Sequence, residues 1–134
     1  MSQKTFETGY TAGAFDLFHV GHLRFLQRAA KLCDRLIVGV STTESMKKYK
    51  GIEPVISFEH RCEILKSLSF IHEVIPNDTI EHEITSKRLG FEVFIIGDDW
   101  CGRLPENICC PTVYLPRTKD ICSTDIKARI LCGL

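Results

Sequence analysis

Residues 36–40 read LIVGV, a short apolar run rich in β-branched residues and without polar alternation. Such a run is typical of a strand that is covered on both faces, as strands of parallel sheets are. Two similar runs follow, VFIIG at 93–97 and TVYL at 112–115. Together the three runs predict a parallel sheet.

Two sets of apolar residues recur at helical spacing: Leu23, Leu26, Ala30 and Cys33 before the LIVGV run, and then Phe58, Leu65 and Leu68 between LIVGV and VFIIG. Spacings of three and four residues place the members of a set on one face of a helix. Ser57 stands directly before the second set and is a candidate N-cap. The sequence therefore predicts one helix before the LIVGV strand and one helix after it.

Further elements complete the alternation. We expect a first strand at roughly 7–12, a short strand at roughly 72–76, a helix at roughly 80–89 and a last helix from about residue 124. Strands that alternate with helices indicate an α/β protein. We predict one domain over residues 1–134, with a Rossmann-like parallel sheet of about five strands and helices on both faces.

Length, charge and cysteine content limit the class of protein. Lys plus Arg and Asp plus Glu each total 17, so no overall field would attract nucleic acid or an acidic membrane face. No apolar run approaches the ~20 residues of a membrane span, and the N-terminus lacks the pattern of a secretory signal. The seven cysteines include no C-x-x-C pair. We expect a cytoplasmic protein with reduced thiols, without nucleic-acid binding, membrane insertion or metal ligands from protein side chains.

Four polar clusters directly follow predicted strands: GAFDLFHVGH from residue 13, STTESMKKYKG from 41, DDWCGR from 98 and PRTKDICSTD from 116. The carboxyl ends of parallel strands meet at one edge of the sheet, and ligands of α/β proteins bind there. We therefore expect one binding site built from all four clusters, with the second cluster forming a loop.

These clusters carry a resemblance. GAFDLFHVGH resembles the G-x-F-D-x-x-H-x-G-H signature of the nucleotidyltransferase superfamily, and PRTKDICSTD is similar to its second signature, R-T-x-G-I-S-T-T. GDDW at 97–100 and EHR at 59–61 make the chain most similar to the small bacterial cytidylyltransferases that act on glycerol 3-phosphate. The resemblance covers nearly the whole chain. It implies transfer of CMP from CTP to glycerol 3-phosphate, giving CDP-glycerol and pyrophosphate, with Mg²⁺ as the cofactor of the triphosphate.

The chemistry accounts for the residues of the first signature. Attack on an α-phosphate builds negative charge on its oxygens and on the leaving pyrophosphate, so the protein must supply positioned donors. His19 and His22, near the start of the following helix, would act as catalytic ring N–H donors. Gly21 would let the backbone approach the phosphates. We predict that Asp16 fixes the turn by accepting backbone N–H bonds and does not touch the substrate.

The resemblance assigns further roles. Lys50, followed by Gly51, matches a catalytic K-G pair, and Arg117 is the arginine of the second signature. Lys47 or Lys48 would hold the phosphate of the acceptor. The remaining expected nucleotide-binding residues are Gly13, Ala14, Phe15, Gly97, Asp98, Asp99, Trp100, Thr118, Ser123 and Thr124. Two structural alternatives stay open: Ser123 or Thr124 simply caps the last helix, and GDDW is a turn around a packed tryptophan.

The chain also departs from the family pattern. Ala14 stands in place of a threonine, and Asp120 and Cys122 replace a glycine and a serine of the second signature. Where relatives read R-Y-V-D-E-V, Ser69 and His72 replace the arginine and the aspartate. Two alternative functions therefore stay open. One is cytidylyl or adenylyl transfer to phosphoethanolamine, phosphocholine or a sugar phosphate, and the other is a catalytically silent nucleotide-binding module.

The same segment bears on assembly. Small cytidylyltransferases resemble one another in pairing through the segment after the H-x-G-H helix and through the segment that holds R-Y-V-D-E-V. Here residues 67–75 read SLSFIHEVI, which is apolar for a segment expected at the surface. Exposed apolar strips usually mark interfaces, so we expect a homodimer.

Overall fold

The computed structural model describes residues 5–78, 88–97, 111–116, 118–119 and 121–133. Its strands are β1 (Phe6–Gly13), β2 (Cys33–Ser41), β3 (Glu73–Asn77), β4 (Val93–Gly97) and β5 (Thr112–Leu115). Its helices are α1 (Val20–Ala30), α2 (Thr43–Lys50), α3 (Phe58–Lys66) and, last in the chain, α4 (Ser123–Leu131). All strand pairs are parallel, and the order across the sheet is β3-β2-β1-β4-β5. The predicted parallel α/β fold is therefore confirmed, and the strand order reverses between β1 and β4.

Apolar side chains cover one face of the sheet with the help of α1 and α3. Leu36, Val38 and Val40 of β2 pack in the main core with Leu26 of α1 and Leu65 of α3. These three β2 residues are two apart, so they point to the same face. The unbroken apolar run of β2 places its other residues on the opposite face.

A second core lies on that opposite face. Tyr10, Ile37 and Phe94 pack there with Phe91, and the rings of Tyr10 and Phe91 stack with centroids 4.9 Å apart. Gly39 of β2 makes room for Tyr10, because a Cβ at this position would collide with the tyrosine ring. The helix predicted at 80–89 falls largely on residues 79–87, which lie outside the described part of the chain. In the part that is described, no helix is both long and apolar enough to cross a membrane.

Most predicted strands agree with the structure, but one apolar position is assigned to the wrong element. The prediction that Cys33 lies on the apolar face of the first helix is wrong, because α1 ends at Ala30 and Cys33 already pairs with Phe6 in the sheet. Its side chain is still buried in the main core beside α1, where Sγ lies 3.6 Å from the carbonyl oxygen of Ala29. The spacing therefore reported burial next to the helix and not helical backbone.

The predicted loop after β2 is also wrong, since this segment forms helix α2. Thr42 caps it, with its Oγ1 accepting a hydrogen bond from the N–H of Ser45 at 3.1 Å. Gly51 ends it in the left-handed conformation at φ 65°, a position that favours glycine. The threonine and the glycine were the available signals, but the three lysines between them obscured the helical pattern.

At α3, the predicted N-cap is confirmed: the Oγ of Ser57 accepts a hydrogen bond from the N–H of His60 at 3.2 Å. The helix ends at Lys66, and Leu68 of the predicted apolar face lies beyond it. Leu68 nevertheless packs against the main core. α3 thus begins where the sequence predicts and ends earlier.

Candidate active site

A cavity of about 360 Å³ opens at the carboxyl ends of β1 and β4. It lies where the strand order reverses, which is the usual ligand site of an open α/β sheet. The turn after β1 and the first residues of α1 and α4 form its walls. The predicted site residues that line it are Gly13, Ala14, Phe15, His19, Gly21, His22, Gly97, Thr118, Ser123 and Thr124.

The other predicted site residues are not placed in this cavity. Lys47, Lys48 and Lys50 lie on α2, outside the set of described residues that line it. Four predicted residues fall outside the described part of the chain: Asp98, Asp99, Trp100 and Arg117. The cavity also has walls that sequence reasoning missed: Ala12, Phe25, Ile96, Ile121 and Cys122. Of these, Ala12 and Ile96 could have been found, because each directly precedes a glycine at a strand end.

The two histidines of the turn form a capping box at the start of α1. His19 is the N-cap, and its Nδ1 accepts a hydrogen bond from the N–H of Gly21 at 3.0 Å. His22 Nδ1 accepts one from the N–H of His19 at 3.3 Å, and the two rings stack with centroids 3.9 Å apart. Because each Nδ1 is an acceptor, the neutral rings carry their proton on Nε2. Both rings therefore present an Nε2–H as their donor.

His22 is neutral at pH 7. Burial, followed by repulsion from His19, lowers its pKa to about 4, against an opposing effect of Asp16. The aromatic rings of Phe15 and Phe18 contribute to this burial, with centroids 5.5 and 5.4 Å from that of His22. A neutral imidazole in this place is a fixed hydrogen-bond donor that requires no buried positive charge.

Asp16 anchors the turn from within, at only 4% exposure. Its carboxylate accepts the N–H groups of Val55 at 2.8 Å and Ile56 at 2.9 Å, and Lys127 Nζ lies 3.4 Å from Oδ2. Burial acts to raise the pKa of Asp16, but the two backbone donors and Lys127 outweigh it and hold this pKa below its ordinary value. The prediction that Asp16 accepts backbone bonds is confirmed, although the donors come from the segment after α2.

The backbone on both sides of Asp16 is strained. Phe15 and Leu17 have φ of 52° and 51°, in the left-handed region that residues other than glycine rarely adopt. Such conformations persist where surrounding contacts enforce them. The hydrogen bonds of Asp16 supply that enforcement, and the resulting turn sets the Phe15 ring against His22.

The start of α4 is bound to the same turn. Ser123 Oγ donates a hydrogen bond to the carbonyl oxygen of Asp16 at 2.6 Å. The alternative that Ser123 or Thr124 caps α4 is wrong, because the N-cap is Cys122, which makes no side-chain capping bond. These three residues line the cavity, so the N–H groups at this helix start lie beside it. A helix N-terminus of this kind can bind phosphate.

Residues 10–129 match the model of the cytidylyltransferase-like family. This chain belongs to that family. The match extends from Tyr10 in β1 to Arg129 in α4 and so includes all the described residues that line the cavity.

Two proteins with similar sequences come from Bacillus species. The chain is 44% identical to the glycerol-3-phosphate cytidylyltransferase of Bacillus spizizenii, over 87% of this chain and 92% of that protein. It is 41% identical to that of Bacillus subtilis, over 90% and 94%. Among solved structures, a lipopolysaccharide core biosynthesis protein from Thermoplasma volcanium superposes with a TM-score of 0.74 at 20% identity, covering 85% of this chain and 99% of that one. At that identity the superposition supports the fold alone.

The burial of neutral His22 predicts that acid destabilises the fold. The pKa of His22 is about 4 in the folded chain, whereas histidine in an unfolded chain titrates near ~6.5. Between these values the unfolded state binds a proton that the folded state does not, so the free energy of unfolding should fall as pH falls through this window. Urea unfolding between pH 7.5 and pH 4.5 measures this dependence.

His22→Gln should flatten the dependence over the same window, because glutamine does not titrate. His60→Gln is the matched control, since His60 is an exposed histidine on α3. If His22→Gln and the unmodified chain lose stability with the same slope, His22 is not the group that resists protonation.

Proposed function

We propose that this chain is a glycerol-3-phosphate cytidylyltransferase, which transfers CMP from CTP to glycerol 3-phosphate and releases pyrophosphate. The observation that carries the proposal is the stacked His19 and His22 pair, which lines the cavity at the strand reversal of a cytidylyltransferase-like chain. The acceptor follows from the two Bacillus relatives, at 44% and 41% identity over most of the chain.

The reaction needs donors more than it needs a base. A phosphate monoester is already an anionic nucleophile, so its attack on the α-phosphate of CTP requires no proton removal. Negative charge develops on the oxygens of the transferring phosphate and on the leaving pyrophosphate. Both Nε2–H groups, held by the Nδ1 bonds of His19 and His22, would donate to these oxygens. Since His22 starts neutral, it stabilises this charge as a fixed dipole.

The pyrophosphate portion fits the wall of the cavity that the start of α4 forms. The start of α4 brings backbone N–H groups and the Thr124 hydroxyl to this part of the cavity, and Thr118 also lines the cavity. The Ser123 hydroxyl already donates its one proton to the carbonyl oxygen of Asp16, so we assign to Ser123 only a backbone N–H contact with the phosphates. We assign the β- and γ-phosphates to this wall, with Arg117 as a further partner. Gly97, Asp98, Asp99 and Trp100 remain the proposed contacts of the base and ribose.

We assign the positive charge at the transferring phosphate to Lys50, the last residue of α2. The residue as a whole is exposed, yet desolvation of its ammonium and the nearby charge of Arg61 lower its pKa. Lys47 forms an exposed ion pair with Glu53 at 3.4 Å, and Lys48 lies over the ring of Tyr49. Exposed pairs of this kind contribute little, so Lys47 and Lys48 can turn to the phosphate of the acceptor.

We also propose that Mg²⁺ accompanies CTP. Among the described residues, no three His, Cys, Asp or Glu side chains form a group that could hold a metal ion. The carboxylate of Asp16 is already engaged by two N–H groups and Lys127. This donor set fits an ion that is held mainly by phosphate oxygens and water, which is the usual mode for Mg²⁺. When bound, it would neutralise part of the triphosphate charge.

We still propose that the protein is a homodimer, but the evidence for it differs from the sequence-based expectation. The expectation that residues 67–75 expose an apolar strip is wrong, because Phe70 and Ile71 pack against the main core. A groove of about 610 Å³ nevertheless lies beside this segment, between the end of α1 and the amino ends of β2 and β3, and includes Ser69 and His72. We infer that a second copy of the chain occupies this groove. Reduced thiols still favour a cytoplasmic site of action, and the thiol of Cys62 is free and buried.

Release of pyrophosphate tests the function. CTP and ATP should each be offered with glycerol 3-phosphate, phosphocholine, phosphoethanolamine and a sugar phosphate. We expect turnover with CTP and glycerol 3-phosphate only. Turnover with another pair corrects the substrate, and nucleotide binding without any turnover identifies a silent binding module.

The paired histidines should act on the rate. We expect His19→Ala and His22→Ala each to lower kcat by ~100- to 1000-fold, as loss of one transition-state donor typically does, with a much smaller effect on CTP binding. Steady-state kinetics together with calorimetric titration of CTP measure both quantities. Near-normal turnover in both variants would remove the histidines from the mechanism.

Substitutions of the three lysines of α2 should affect different kinetic parameters. Lys50→Ala should abolish most turnover, while Lys47→Ala and Lys48→Ala should mainly raise KM for the acceptor, because a contact made equally in ground and transition states affects binding alone. The three variants serve as controls for one another, since all lie within one short helix. Loss of turnover in Lys48→Ala with normal kcat in Lys50→Ala would exchange the two roles.

The assembly is tested by sedimentation velocity. At pH 8 and micromolar concentration we expect the mass of a dimer. A single species with the mass of the 15.2 kDa chain would reject the dimer and leave the groove beside Ser69 without this occupant.

A further inference from the structure

Arg61 of α3 is a charged side chain buried to 1% exposure, and it belongs to the EHR motif. Its Nη1 donates hydrogen bonds to the carbonyl oxygens of Ala14 at 2.9 Å and Ser41 at 2.8 Å. Its Nε donates to the carbonyl oxygen of Ile56 at 2.9 Å. One guanidinium thus holds three backbone carbonyls from three separate segments.

These segments are the ones that carry the proposed chemistry. Ala14 belongs to the turn that leads to His19, Ser41 ends β2 just before α2, and Ile56 follows α2 and its lysines. Arg61 therefore holds both ends of the segment that contains Lys50 and fastens them to the histidine turn. Asp16 closes the same connection from the other side, because it accepts the N–H of Ile56 at 2.9 Å.

Arg61 also interacts electrostatically with several titratable groups. The groups that act electrostatically on Arg61 are Asp16, Cys62 and Glu59, and the charge of Arg61 in turn acts on Lys50. Burial lowers the pKa of Arg61, against the opposing effect of Asp16. Its Nη2 is buried and has no hydrogen-bond partner among the described residues, which costs stability. The guanidinium is thus held in place at some expense to the fold.

We propose that Arg61 is a positioning residue of the transfer reaction, which fixes Lys50 relative to the His19–His22 pair. The inference rests on the proposed function, since it gives Lys50 and the histidines a common substrate. A lysine could not replace Arg61, because the planar guanidinium directs several donors at once while an ammonium offers one compact point charge. Because Arg61 binds all three carbonyls, the segment that contains Lys50 and the turn that leads to His19 keep a fixed relative position.

The first test is Arg61→Lys, which retains a positive charge and loses the three-way hydrogen bonding. We expect kcat to fall by ~100-fold, the scale expected of a misplacement near 1 Å, with CTP affinity from calorimetry changed by less than ~3-fold. Arg35→Lys is the matched control, because Arg35 is an exposed arginine of β2 paired with Glu7. It should leave kcat and CTP affinity unchanged. A folded Arg61→Lys enzyme with kcat within ~3-fold of the unmodified chain overturns the proposal.

The second test separates positioning from general stability. In Arg61→Gln the nearby positive charge is gone, so Lys50 should lose its proton at higher pH than in the unmodified chain. An NMR titration of the Lys50 side chain, assigned with Lys50→Arg, measures this without any need for turnover. Thermal melting of the same sample gives the folded fraction. An unchanged Lys50 titration, or a loss of kcat that the folded fraction accounts for, overturns the proposal.

The two experiments also keep this inference apart from the proposed function. If the unmodified chain transfers nothing from CTP to glycerol 3-phosphate, the proposed function fails. The NMR titration still decides the placement of Lys50 by Arg61, because it follows the Lys50 ammonium directly, with and without the charge of Arg61. A shift in Arg61→Gln supports the placement, and its absence rejects it.

Discussion

The peptide groups at residues 55 and 56 are held between two buried, oppositely charged side chains, and the site depends on this arrangement. Asp16 accepts the N–H groups of Val55 and Ile56, and Arg61 donates to the carbonyl of Ile56. Buried charges are tolerable when they are hydrogen-bonded and compensated nearby. Here that requirement ties the turn after β1 to the segment after α2, and through Ser123 to the start of α4. The turn and the start of α4, which both line the cavity, are thereby fixed to each other and to the segment after α2.

The electrostatics of the cavity suit an anionic substrate that gains charge during reaction. One set of donors consists of imidazole N–H groups whose orientation is set by backbone bonds to Nδ1, and the other consists of the N–H groups at the start of α4. Both are dipoles fixed before the substrate binds, so little reorganisation is needed when charge develops. The left-handed conformations of Phe15 and Leu17 are the structural cost of presenting the histidines in this way.

Much of the fold could be predicted because its determinants are local. Strands buried on both faces must be apolar throughout, so VFIIG appears in the structure as the buried strand β4 with the predicted bounds. TVYL also has the predicted bounds, as β5, but the expectation that it is covered on both faces is wrong, because β5 is an edge strand on which Tyr114 is exposed. The predictions for the α2 segment and for Cys33 were wrong because the apolar spacing there did not match the secondary structure. The lysines of α2 gave no apolar periodicity although its caps are good, and Cys33 matched a helical spacing because it is buried beside α1. Periodicity reports which residues are buried, and it identifies an element only when the burial arises from that element.

The sequence by itself determined the parallel α/β class, the edge of the sheet where the cavity opens, and the signature that brings His19 and His22 to the start of a helix. Only the tertiary structure decided which backbone groups Asp16, Arg61 and Ser123 bind. Asp16 binds N–H groups 39 and 40 residues away, Arg61 reaches a carbonyl 47 residues away, and Ser123 reaches one 107 residues away. Partners at such separations are backbone atoms, which every residue possesses, so no local pattern of side chains can specify them. Their pairing is settled only when the strands and helices are packed.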